Sequence, residues 1–104
     1  MTTDAEIAVE VMGWELFNKH PYYNQCKCVW KPLANISQAF QVDDKVHSET
    51  GFELMLLRRS DGNFTACYVD KDGLPVTDWM HDKNPATSIC KAALAAIRDN
   101  KEAP

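Results

Sequence analysis

Three residues of metal-ligating type fall close together in the first third of the chain, His20, Cys26 and Cys28, and Cys67, Cys90, His47 and His81 are available to join them in space. On an extended strand Cys26 and Cys28 share one face, which permits joint ligation of a cation. Structural zinc sites, however, usually carry two paired spacings of the Cys-x-x-Cys kind, and no second pair exists here. Thiol catalysis needs a base beside the sulfur and an oxyanion site, and no local signature places a histidine against any of the cysteines. The carboxylate pairs Asp43-Asp44 and Asp70/Asp72 could suggest acid-base work or calcium, but the second lacks the further ligands and distal glutamate of an EF-hand loop. Turn and helix-surface roles account for both pairs. The expectation is no catalytic residue, no metal, no cofactor and no enzymatic activity.

Binding chemistry is better represented. Tyr22, Tyr23 and Trp30 lie among His20, Lys19, Lys27 and Lys31, and aromatic rings beside cations make an interaction hot spot when they are exposed. The competing reading is that the rings cover a sheet, since aromatics are favoured in strands for packing alone. Arg58 and Arg59 are the one directly adjacent pair among 11 lysines and arginines and could hold a phosphate. No Gly-rich phosphate loop accompanies them.

The elements that must position these residues belong to one domain, residues 1–104, of the commonest single-domain size. With 45% hydrophobic and 25% charged residues and three tryptophans, the chain can bury enough apolar area to offset its conformational entropy. A formal net charge of −4 with scattered cations disfavours direct nucleic-acid binding. No window approaches the apolar length of a membrane span, and the first residues lack the basic and apolar regions of a secretory signal. A cytoplasmic protein with reduced thiols is expected.

Thr3 and Glu6 have the spacing of a capping box, opening a helix over 4–12 with an apolar stripe of Ala5, Ala8, Val9 and Met12, closed by Gly13. Alternation at Trp14 and Leu16 and again over 26–30 predicts a hairpin whose long connection, 18–25, is a polar loop. Ile36, Ala39, Phe40, Val42 and Val46 predict a short helix capped by Asn35 or Ser37. Residues 52–57 and 64–69 predict an antiparallel pair turning at Ser60–Asn63, with Gly62 at positive φ. A turn at 70–73 leads into an irregular stretch or edge strand over 74–80. Asn84-Pro85 starts a final helix, 85–99, with Ile89, Ala93, Ala96 and Ile97 on one stripe and Ala92 beside it. The order predicts an α+β fold with helices packed on a small antiparallel sheet.

Ala8-Val9-Glu10-Val11-Met12-Gly13-Trp14 and Pro85-Ala86-Thr87-Ser88-Ile89-Cys90-Lys91-Ala92-Ala93-Leu94 resemble the phage ABA sandwich domain family. Trp30 and Pro32, followed by Ile36 to Val46, look like the family's central helix, with Phe40 where a tryptophan is common. The resemblance implies an α-β-α sandwich of phage origin and carries over no catalytic residue. It points to a phage accessory protein acting in the host cell, which binds and inhibits a host protein such as an anti-phage defence component. Tyr22, Tyr23, Trp30 and Lys31 are the expected contacts. The alternative is a protein that sequesters a nucleotide signal, with Arg58 and Arg59 on the phosphate.

Overall fold

The structure, a computed structural model, describes residues 2–14, 22–23 and 28–102. Its first helix, α1 (Asp4–Glu6), begins at the capping box: the Thr3 hydroxyl accepts the Glu6 amide at 3.2 Å, and the Glu6 carboxylate accepts the Thr3 amide at 3.2 Å. The helix continues as a π turn over Ile7–Val11, with the Met12 N–H reaching the Ile7 carbonyl five residues back. Ile7, Ala8 and Val11 face the core, whereas Val9, expected on the apolar stripe, is exposed. Gly13 at φ 73° ends the element.

Tyr22–Tyr23 (β1) pairs antiparallel with Cys28–Val29 (β2), Tyr22 opposite Val29 and Tyr23 opposite Cys28. The two tyrosines were expected in a loop. They lie instead in a short ladder, as aromatic residues favour paired, extended backbone. The strand predicted at Trp14 and Leu16 falls partly on residues outside those described, as do Lys19, His20, Cys26 and Lys27.

Helix α2 (Ile36–Thr50) is capped by Asn35, whose Oδ1 accepts the Gln38 N–H at 3.0 Å. It runs a turn beyond the predicted end and stops at Gly51, φ 76°, whose N–H returns to the His47 carbonyl at 2.8 Å. Strands β3 (Glu53–Arg58), β4 (Phe64–Val69) and β5 (Met80–Asp82) form an antiparallel sheet in the order β3-β4-β5. Leu56 lies opposite Ala66, and Ala66 opposite Met80. Gly62 at φ 88° makes the β3–β4 turn as its position predicts. The 74–80 stretch is irregular apart from a bridge of Pro75 to Val69 and the start of β5.

Helix α3 (Pro85–Glu102) starts at Asn84, whose Oδ1 accepts the Ala86 N–H at 2.9 Å. Ala86, Ile89, Cys90, Ala92, Ala93, Leu94, Ala96 and Ile97 are all buried, a band far wider than one stripe. The reason is position: α3 packs on β4 and β5, on α2 and on the π turn. Its alanines let backbones approach closely on several sides. Opposite it, Ala39, Val42 and Val46 of α2 and Ala66 and Tyr68 of β4 complete one apolar cluster with Ile7, Val11 and Trp30. Among the described residues, three helices packed on a three-stranded antiparallel sheet make an α+β sandwich.

The segment before α2 is fastened from two sides. The Leu33 N–H donates to Asp4 Oδ1 at 3.0 Å, and its carbonyl accepts the Thr87 hydroxyl at 2.7 Å. Arg98 links α3 to the first helix through Glu10 at 2.7 Å and Glu6 at 3.1 Å. No helix among the described residues is long and apolar enough to cross a membrane.

Candidate interaction surface

Trp30 is the one expected contact that the structure removes. Its ring is fully buried, 4.7 Å from that of Trp14 at a tilt of 56°, and its indole N–H points to Gln41 Oε1 at 3.4 Å. A side chain of this size joins the core when the flanking elements close over it, and the lysines around it in sequence gave no sign of that closure. Tyr22 and Tyr23 occupy β1, in the ladder that leads towards Trp30. Lys31, next to the buried ring, is exposed, and its backbone N–H donates to Gln38 Oε1 at 2.6 Å. Arg58 and Arg59 are also exposed, at the end of β3. Arg59 continues the ladder through its N–H to the Asn63 carbonyl at 2.8 Å. Consecutive strand residues point to opposite faces, so these two guanidinium groups diverge rather than converge on one phosphate.

Two apolar side chains that periodicity assigned to the core lie on the surface instead. Ile36 is 40% and Phe40 46% exposed, one turn apart at the start of α2. At about 100° per residue, Ala39, Val42 and Val46 cluster within roughly 60° of one another, whereas Ile36 and Phe40 lie on a neighbouring face. Measured by angle rather than by i+3 and i+4 spacing, the sequence already separates the two sets. Gln38, which holds the Lys31 backbone, is turned roughly 160–200° away from Ile36 and Phe40 at about 100° per residue, so Lys31 and the apolar pair mark different faces of α2.

The thiols and carboxylates weighed for chemistry have structural partners. Cys67 and Cys90 are free and fully buried, and burial pushes the Cys90 thiol up to about 12. Such a thiol is inert. Asp43 accepts the buried Tyr68 hydroxyl at 2.9 Å; its own desolvation raises the carboxyl above the ordinary aspartate value, against the lowering effect of that hydrogen bond. Asp70 closes its own turn, its Oδ1 accepting the amides of Asp72 at 2.9 Å and Leu74 at 3.0 Å. Nδ1 of His47 contacts the Phe52 carbonyl at 3.0 Å, and Nδ1 of His81 meets the Thr65 hydroxyl at 2.8 Å. Among the described residues no group of three or more His, Cys, Asp and Glu could hold a metal ion. An open groove between 75–80 and α3 is lined in part by Arg98, whose guanidinium is held by Glu6 and Glu10.

No curated protein and no solved structure matches this sequence. The family model described as Phage ABA sandwich domain matches residues 5–94, from the first helix through most of α3. The chain therefore belongs to the phage ABA sandwich domain family.

Proposed function

We propose that this chain is a phage accessory protein that binds a host protein and inhibits it, the target being a component of a bacterial anti-phage defence system. On this reading it acts in the host cytoplasm, without catalysis. The observation that carries the proposal is the outward pair Ile36 and Phe40, one turn apart at the start of α2. Large apolar side chains displayed together on a helix, rimmed by polar groups, are characteristic of protein interfaces. Membership of a phage domain family supplies the biological setting. The contact surface accordingly moves from the buried Trp30 to the first turns of α2.

The test is affinity purification of tagged protein from host lysate, with the wild-type chain compared to Ile36→Asp/Phe40→Asp. Both positions are exposed, so the variant should fold, which circular dichroism checks. A stoichiometric host protein captured by the wild type and lost by the variant supports the reading. Restored plating of phage on cells that carry the captured defence system would establish inhibition. Equal capture by both proteins moves the interface elsewhere, and wild-type protein that elutes with only an unexplained small mass overturns the reading in favour of ligand sequestration.

A further inference from the structure

Strand β3 ends the sheet, and among the described residues nothing pairs with its outer edge. The register fixes which groups that edge displays. Arg59 and Asn63 are a hydrogen-bonded pair, so by antiparallel alternation Leu57, Met55 and Glu53 also bond to β4, while the amides and carbonyls of Leu54, Leu56 and Arg58 point outward. Tyr68 confirms the alternation on the other side of β4, since its carbonyl accepts the Val76 N–H. Natural edge strands are usually guarded by a central lysine, a proline or a bulge. Glu53-Leu54-Met55-Leu56-Leu57-Arg58 has none of these, and its charges stand only at the ends. On the sheet face away from the core, Met55 is 41% and Leu57 46% exposed.

We propose that this edge pairs with the same edge of a second copy of the chain, antiparallel about a two-fold axis at Leu56, joining two three-stranded sheets into one of six strands. The occupant follows from self-complementarity. With Leu56 opposite Leu56 of the second copy, the outward amides and carbonyls of Leu54, Leu56 and Arg58 meet their counterparts in hydrogen-bonded positions. Met55 then lies against Leu57 of the second copy, in the closer non-hydrogen-bonded spacing that favours apolar contact. Glu53 faces Arg59 of the second copy, and the two-fold axis repeats each of these pairs. Sliding the register by two residues, to centre on Met55, sets Glu53 against Leu57 and Arg58 against Phe52, and both ion pairs are lost. A slip of one residue turns the exposed apolar face against the wrong side of the neighbouring sheet.

Sedimentation equilibrium of the purified full chain tests the pairing. A mass twice that of the monomer, falling to the monomer on dilution, is expected for the wild type. Met55→Lys/Leu57→Lys, at exposed positions that leave the fold intact by circular dichroism, is expected to be monomeric throughout. Glu53→Arg and Arg59→Glu should each raise the dissociation constant about tenfold, the scale of turning two exposed attractive pairs per dimer into repulsive ones. The double charge swap should restore the wild-type value, an outcome that requires these two positions to meet across the interface. A wild-type chain that stays monomeric at millimolar concentration overturns the proposal, including the case in which the edge binds only a strand of another protein. A dimer indifferent to Met55→Lys/Leu57→Lys, or weakened by both single reversals without rescue by the swap, overturns it equally.

Discussion

Replacing Tyr68 with phenylalanine removes one oxygen from the core and leaves the ring packed as before, so its effect isolates the bond to Asp43. That bond is 2.9 Å long, its donor is fully buried, and its acceptor is partly withdrawn from water. A hydrogen bond to a charged group contributes about 1.5–3 kcal/mol. For a domain of this size that corresponds to a fall in Tm of roughly 6–24 °C. The loss should depend on pH. Because the Asp43 carboxyl is raised above its ordinary value, chiefly by desolvation, the folded chain binds a proton more tightly than the unfolded one. Stability therefore declines as pH rises from the ordinary aspartate range through the raised value, and levels off above it. Below that window the acceptor is a neutral carboxyl, and Tyr68→Phe should cost only about 0.5–1.5 kcal/mol. Without the hydroxyl, whose hydrogen bond lowers the Asp43 pKa, the window should extend upward. Asp43→Asn keeps an acceptor oxygen and should flatten the pH dependence. Urea unfolding of wild type, both single variants and the double variant, at pH 7 and in acid, measures all of this. A cost of Tyr68→Phe below about 0.5 kcal/mol at pH 7, together with an unchanged pH slope in Asp43→Asn, would show that this bond does not hold the core as described.

Trp30→Ala should destabilise the protein by about 3–5 kcal/mol in urea unfolding, the cost of emptying a large core site, rather than act as a surface change. Asn84→Ala should cost about 1 kcal/mol by removing the acceptor for the Ala86 amide, and Asn84→Asp should retain most of it. Cys67 and Cys90 should resist alkylation in the folded protein at neutral pH and react once denaturant exposes them, as mass spectrometry of the alkylated chain would record.

Local chemistry made some elements legible in advance. Thr3 with Glu6, Asn35, and Asn84 with Pro85 each satisfy a helix terminus from within a few residues, so the sequence window that predicts them also contains their cause. Gly62 likewise marks the β3–β4 turn by backbone freedom alone. Other features depend on distant partners. Met80-His81-Asp82 has no strand signature of its own and is extended because Phe64, Thr65 and Ala66 pair with it. Trp30 is buried by Trp14 and α2, neither of which its neighbours in sequence announce. Ile7, Ala8 and Val11 form the inward set at i, i+1 and i+4, which a 3.6-residue repeat allows as readily as the Ala5, Ala8, Val9 and Met12 stripe, so only packing against α3 and α2 selects between the two faces. For the candidate surface, Lys31, Arg58 and Arg59 could be read as exposed cations, but Ile36 and Phe40 could not be read as exposed from i+3 and i+4 spacing, which treats two adjacent helix faces as one.

The central place of α3 sets the order in which the chain can acquire its core during synthesis. A ribosome delivers α3 after every other described element, yet Ala39, Val42 and Val46 of α2 and Ala66 and Tyr68 of β4 all close onto the cluster that α3 completes. Until residues 85–97 emerge from the exit tunnel, the hairpin of β3 and β4 has a ladder but lacks most of its apolar cover. Two-stranded sheets in that condition are marginal in water. Native structure should therefore form late and in one cooperative step, and a nascent chain stalled before Pro85 should be cleaved readily by a protease that leaves the finished protein intact.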